Sequence, residues 1–237
     1  MWLLFLLTNN PAIVDLGWVL GITAVGIYAF MQLERPTWVH HIFLGLLVLW
    51  AVRLGSFLLV TRIIPGHLDG RYAAIKDSFS THEALNFLIN YQVQALLASL
   101  FAFALYATFH AESYSMPVVI GAAVFCMIGI IGQGIADYQL YSFKQSGVSG
   151  ICETGLWRYS RHPNYFFEIL IWIGFAMTGL RSSTLLYSFI TPVGIWAIMA
   201  YITIPLTERV SLSKRPAYRE YIERTNKLLP IKFKKVQ

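Results

Sequence analysis

The chain has 237 residues, 57% of them hydrophobic and only 13% charged, with a formal net charge of +6. Soluble chains carry about a quarter charged residues, so this composition excludes a soluble globular domain, along with disorder, coiled coil and collagen, and indicates an integral membrane protein. The positive excess is not a nucleic-acid footprint: nine of the eighteen Lys and Arg follow residue 207, behind the last apolar run and with no recognition motif beside them, a placement suited to anionic headgroups.

The opening MWLLFLL is too short to span and lacks the basic flank and cleavage site of a signal peptide, so an interfacial or capping position is expected. Six runs long enough to cross a bilayer as helices follow, at about 11–32, 40–61, 86–109, 117–137, 164–180 and 184–206. With six spans, the N-terminus, the segments 62–85 and 138–163 and the tail share one side. That side holds Arg62, Arg71, Lys76, Lys144, Arg158, Arg161 and nine tail residues, fifteen in all, against Arg35 and Arg181 opposite and Arg53 within a span. The positive-inside rule then makes both termini cytoplasmic. From Glu208 to Leu229 charges alternate with Val210, Leu212, Tyr218, Tyr221, Ile222 and Leu228, the pattern of an amphipathic helix on the membrane surface. The expected fold is all-α: one domain over residues 1–237, a polytopic bundle of about six transmembrane helices with a C-terminal amphipathic interfacial helix.

No inverted repeat with paired broken helices supports a transporter, and no filter motif supports a channel. Cys126 and Cys152 are too few for a disulfide or zinc framework, and His162 has no second ligand at metal spacing, so no metal site is expected. Charges within spans are costly and mark function by default. Asp15, Arg53, Asp137 and Glu168 are four such charges; each reads either as a buried ion pair or as part of a polar cavity. The stretch GVSGICETGLWRYSRHPNYFFE combines three glycines with Arg158, Arg161, His162, Asn164, Tyr165 and Glu168, and such a loop can bring backbone N–H groups and forked arginines to phosphates. There is no Rossmann glycine pattern, Walker A sequence or GxSxG.

GLWRYSRHPNYFFE and TERVSLSKRPAYREYIERTNKLLP, a signature region over about 133–230, resemble the steroid 5-alpha-reductase family in its bacterial DUF1295 branch. VDLGW, WAVRLGSFLLVTR and GHLDGRY extend the resemblance over nearly the whole chain. It implies a bacterial inner-membrane enzyme of lipid metabolism, an NADPH-dependent oxidoreductase acting on CH–CH groups in the manner of a 3-oxo-5-alpha-steroid 4-dehydrogenase. Its substrate would be a lipophilic, steroid-like or isoprenoid molecule, with membrane lipids as the other partners. Cofactor contacts carry over to Asp137, Asn164 and Glu168, with Arg53 on an early helix and Gln133 in place of the family's Asn; Arg158, Arg161, His162 and Tyr165 complete the expected set. Phe167 replaces the usual Gly and is expected to crowd the pocket, and Trp50 stands at the catalytic Tyr. Asp15 falls near the family's acid, so Asp15 is expected to be the proton donor and Trp50 to orient, the alternative being an Asp15–Arg53 ion pair. A rival reading, from the RHPxY stretch and late acidic residue, is an S-adenosylmethionine-dependent methyltransferase of the isoprenylcysteine carboxyl or phospholipid type; a third is a non-enzymatic membrane adaptor.

Overall fold

The computed structural model describes residues 1–66, 69–79, 81–111 and 113–231. His67 and Leu68 of the GHLDGRY stretch and Lys232, Lys234 and Lys235 of the basic tail lie outside the described residues. The described chain is helical, with no strand beyond one parallel bridge between Ser160 and Asn226. The elements are α1 Trp2–Thr8, α2 Ile13–Met31, α3 Trp38–Leu58, α4 Gly70–Asp77, α5 Glu83–Ala98, α6 Phe101–His110, α7 Met116–Gln145, α8 Pro163–Met177, α9 Leu185–Ser188, α10 Ile190–Ile198, α11 Ile204–Lys214 and α12 Tyr218–Arg224.

Five helical runs are long and apolar enough to cross a membrane: Ile13–Met31, Trp38–Ile63, Glu83–His110, Met116–Gln145 and Leu185–Lys214. The protein is therefore a multi-pass helical membrane bundle. The sixth expected span is shorter than the sequence pattern suggests, because α8 stops at Met177 after 15 residues, about 22 Å against a hydrocarbon core of about 30 Å. The expected surface helix over the tail is divided. Its first part, α11, continues the last long helical run, and only the seven residues of α12 follow as a separate turn. At the other end, α1 lies against α5, with Phe5 packed on Phe87 at 4.8 Å.

Two π turns interrupt long helices, Leu59–Ile63 after α3 and Met199–Thr203 between α10 and α11. Such turns rotate the residues beyond them out of α-helical register and are frequent at functional sites. The first carries Arg62 and the second Met199, Ile202 and Thr203, all of which line the cavity described below.

The tightest seam joins α7 and α8. Lipid tails are as apolar as leucine, so helix association in a bilayer depends on close packing between small residues. A Cβ at Gly129 would stand 2.8 Å from the Phe167 carbonyl oxygen and 2.9 Å from the Ile171 nitrogen, and one at Gly174 2.7 Å from the Ala122 oxygen. The obstructing atoms are backbone and cannot swing away. Alanine is a better helix former than glycine by about 1 kcal/mol, yet Gly129→Ala is expected to reduce folded yield and melting temperature, because the two backbones must separate. A melting temperature equal to or above that of the parent protein would refute the close-packing account. Gly132 faces the ring of Phe167, which corrects an expectation: Phe167 is buried in the α7–α8 seam and does not crowd either cavity.

Candidate functional site

The helical period brings residues three or four apart onto one face. Three helices each contribute such a pair: Trp50 and Arg53 on α3, Gln133 and Asp137 on α7, Asn164 and Glu168 on α8. They meet as two polar tiers one turn apart. In the tier nearer the loop end, Arg53 Nη2 bonds Asp137 Oδ2, and Asn164 Nδ2 donates to Asp137 Oδ1 at 3.1 Å. In the deeper tier, Glu168 accepts from Trp50 Nε1 at 3.2 Å, Gln133 Nε2 at 2.6 Å and Trp172 Nε1 at 2.7 Å. Every hydrogen-bond donor to this buried carboxyl is neutral. Two polar atoms of the tiers, Arg53 Nη1 and Gln133 Oε1, are fully buried without a hydrogen-bond partner among the described residues.

Asp15 lies apart from the tiers. Arg62 Nη1 and Arg71 Nη2 both reach Oδ2, the latter at 2.8 Å, and the Tyr72 hydroxyl donates to Oδ1 at 2.7 Å. Asp69 joins from the N-cap of α4, where its Oδ1 accepts from Arg71 Nε at 3.0 Å and from the Arg71 backbone N–H at 2.9 Å. Burial alone would raise the Asp69 pKa, but Arg71 and Arg62 beside it hold it well below the usual carboxylate range. Burial, reinforced by the Asp15 charge, holds the Tyr72 phenol well above its ordinary value. This arrangement corrects two expectations. Asp15 accepts from three donors, two of them guanidinium groups, so it is held as an acceptor and is not placed to give a proton; nor is it paired with Arg53, which bonds Asp137 instead.

Two cavities adjoin this machinery. An inner one of about 370 Å³ has mainly apolar walls from α2, α3, α5 and α10, with Trp50, Gln133, Glu168 and Tyr72 among its lining. An outer one of about 510 Å³ is lined by Lys144, Arg161, Lys214 and Arg215 among others. Phe57, Arg62, Arg71, Asp137, Asn164 and Tyr165 line both, so these six form a common wall. Lys144, Lys214 and Arg215 form no ion pair among the described residues.

The expected phosphate-gripping loop is built differently. Arg158 is exposed on a short 3₁₀ turn and lines neither cavity; its residue type alone had suggested a role. Arg161 is buried and engaged with the tail: Nε donates to Glu208 Oε1 at 2.7 Å, and Nη1 to the carbonyl oxygens of Ile222 at 2.7 Å and Thr225 at 2.9 Å. His162 Nε2 shares Glu208 Oε1 at 3.1 Å, and its ring stacks on Tyr165 at 5.3 Å. Burial pushes the His162 imidazole below its ordinary value against the opposing pull of Glu208. The Tyr221 hydroxyl bonds the Ser160 carbonyl at 3.2 Å. The tail is thus clasped onto the 155–162 segment and brings Lys214, Arg215 and Tyr218 to the outer cavity.

Sequence reasoning missed Arg62, Asp69, Arg71, Tyr72 and Trp172 as site residues. Arg62, Arg71 and Tyr72 stood in quoted stretches but were read only as positive-inside charge and family pattern. Trp172 follows Glu168 by four residues, a spacing that could have revealed it. Among the described residues, no cluster of three or more His, Cys, Asp or Glu suited to a metal ion occurs.

No solved structure matches the chain. A curated relative from Schizosaccharomyces pombe, named "Uncharacterized protein C594.04c", is 35% identical over 89 residues. That match covers 34% of this chain and 24% of the relative, so the chain aligns with about a quarter of the length of that protein. Residues 1–225 match the family described as "Protein of unknown function (DUF1295)". With nearly all of the two-tier bundle inside that match, the chain belongs to the DUF1295 family.

Proposed function

We propose that the protein is an NADPH-dependent reductase of an activated carbon–carbon double bond in a lipophilic substrate, the chemistry of the steroid 5-alpha-reductase family. The observation that carries this reading is the cationic outer cavity, where Lys144, Lys214 and Arg215 form no ion pair among the described residues, sharing a wall with an apolar cavity inside the bundle. A cofactor with phosphates at one end and a flat, weakly polar ring at the other suits that division. A buried orphan fits the ring as well: a carboxamide offers a donor to Gln133 Oε1, whose side chain lines the inner cavity. When bound, the reduced nicotinamide supplies hydride.

The chain's own residues bind, exclude water and hold the proton. Lys144, Lys214 and Arg215 attract phosphate, and Trp18, Leu54 and Phe101 keep water from the inner cavity. The proton resides on the Tyr72 hydroxyl, which burial keeps protonated at neutral pH. Asp15, fixed by Arg62 and Arg71, orients that hydroxyl until a substrate oxygen takes its place as acceptor. Trp50 orients Glu168 through its indole N–H.

A ligand that binds only the folded form at a hundredfold excess over its Kd adds about 2.7 kcal/mol of stability. NADPH is expected to raise the melting temperature of the detergent-solubilised protein accordingly, with S-adenosylmethionine silent. Replacing Lys144, Lys214 and Arg215 together with Ala should weaken NADPH by at least about tenfold, or about 1.4 kcal/mol. A shift with S-adenosylmethionine and none with NADPH would replace this reading by the methyltransferase one.

We further propose a bacterial inner-membrane location with both termini cytoplasmic, since the basic residues of three segments gather around one cavity. Both native cysteines are buried, so single reporters are clean. A membrane-impermeant maleimide is expected to reach Arg35→Cys in intact cells and Ser149→Cys only after permeabilisation. The reverse pattern would invert the topology.

A further inference from the structure

A helix that passes through a proline leaves one carbonyl without its usual donor. Both π turns of this chain run into an Ile-Pro pair, Ile64-Pro65 after the first and Ile204-Pro205 after the second. At each, the isoleucine N–H reaches the carbonyl five residues back, Ile64 to Leu59 and Ile204 to Met199. In that register the next N–H would serve the carbonyl of Val60 or of Ala200, and the next residue is a proline, which has no N–H. After Pro65 the helix ends. After Pro205 it does not, and α11 runs on to Lys214. There a donor comes from outside the helix: Lys227 Nζ, from the tail, bonds the Ala200 carbonyl at 2.9 Å. Ala200 is buried, so a carbonyl left bare at this point would be costly.

The backbone on either side of Lys227 is pinned to the segment that opens α8. The Arg161 N–H donates to the Asn226 carbonyl at 2.9 Å, Arg161 Nη1 to the Thr225 carbonyl at 2.9 Å and Ser160 Oγ to the Leu228 carbonyl at 2.7 Å. Earlier in the same tail, Arg215 and Tyr218 line the outer cavity. At the far end of the Lys227 bond, Met199, Ile202 and Thr203 of the second π turn line the inner one. A single bond from ammonium to carbonyl thus joins the segment that walls the outer cavity to the turn that shapes the inner cavity.

We propose that Lys227 is a positioning residue that couples the two cavities. By supplying the donor that Pro205 lacks, it holds the Met199–Thr203 turn in place while the tail is seated, so an anion that draws Arg215 and Tyr218 into the outer cavity also sets the wall of the inner one. Such coupling is reciprocal: a ligand that packs against the turn from the inner cavity tightens the outer site by the same factor. The proposal rests on the reductase reading only in taking NADPH as the outer ligand; the Lys227 bond itself needs no cofactor.

Amide hydrogen exchange, followed by mass spectrometry on the full chain in lipid nanodiscs, measures the local opening of the turn. Lys227→Met keeps a long stem and removes the donor. It is expected to speed exchange across the Met199–Thr203 turn about tenfold, the worth of one hydrogen bond from a charged group, with the global melting temperature little changed because residue 227 is exposed. Lys227→Arg should restore slow exchange. Pro205→Ala returns a backbone N–H to the ladder, so in that background Lys227→Met should have no effect on the turn, a rescue that a general loss of stability would not give. NADPH should slow exchange of the turn in the parent protein, whereas in Lys227→Met its thermal shift should remain and that protection disappear. Arg161→Ala, or Arg161→Lys where the alanine variant does not fold, loosens the tail and should speed the turn without any cofactor present. Unchanged exchange in Lys227→Met, the same effect of Lys227→Met with and without Pro205, or a turn unaffected by loosening the tail would overturn the proposal, as would NADPH protection surviving in Lys227→Met. Absence of any NADPH shift, with the Pro205 rescue and the Arg161 effect both observed, would uphold the coupling and remove only the reductase reading.

Discussion

Tyr72→Phe is expected to lower turnover by about 10²- to 10⁴-fold, the usual worth of a positioned general acid, while folding and the NADPH thermal shift survive. Phenylalanine keeps the ring and removes only the hydroxyl that donates to Asp15 Oδ1 at 2.7 Å. Asp15 retains Arg62 and Arg71 as partners, so no buried charge is left alone. Asp15→Asn should behave differently. It withdraws the charge shared by two guanidinium groups, and breaking such a cluster from one side costs about 3–5 kcal/mol when buried, the lower end applying at this partly accessible site. Expression yield, thermal shift and turnover measured on both variants separate the roles. Tyr72→Phe with full activity would remove Tyr72 as the donor, and Asp15→Asn with normal stability but no turnover would return that role to Asp15.

Arg161→Ala is expected to release the C-terminal tail. Its side chain makes three hydrogen bonds, to Glu208 and to the carbonyls of Ile222 and Thr225, and is almost wholly buried. Truncation leaves those acceptors without their donor inside the clasp, with an expected loss of about 3–5 kcal/mol. Arg161→Lys should recover part of this, because an ammonium satisfies one acceptor but cannot bridge three as a planar fork does. Trypsin should then cut after Lys214, the Arg215–Pro216 bond being resistant, and Cys152, buried beside Tyr221 in the parent protein, should become reactive to maleimide. NADPH should also bind more weakly, since Lys214, Arg215 and Tyr218 leave the outer cavity with the tail. An unchanged tryptic pattern would show that the clasp does not hold the tail.

Particular residues show how far the sequence could be read. Asn164 with Glu168 was legible as a polar face continuing into a span because the helical period places residues four apart on one side, whereas Gln133 with Asp137 came only from the family resemblance. Phe167 was misread because its space is made by Gly132 on another helix. Arg158 and Arg161 looked equivalent in a loop, yet one is exposed and the other holds the tail, a difference that depends on where residues 208–225 return in space.

The chain's own composition and periodicity determined that it is a multi-pass helical membrane protein, since burial in hydrocarbon requires apolar length and internally satisfied backbone, and both are local properties. The tertiary structure alone decided the partners of each buried charge: Arg53 with Asp137, Asp15 with Arg62 and Arg71, Trp50 with Glu168. Ion pairs and hydrogen bonds act over a few ångströms, so the identity of a partner depends on which helices become neighbours. These partners lie between 47 and 118 residues apart along the chain.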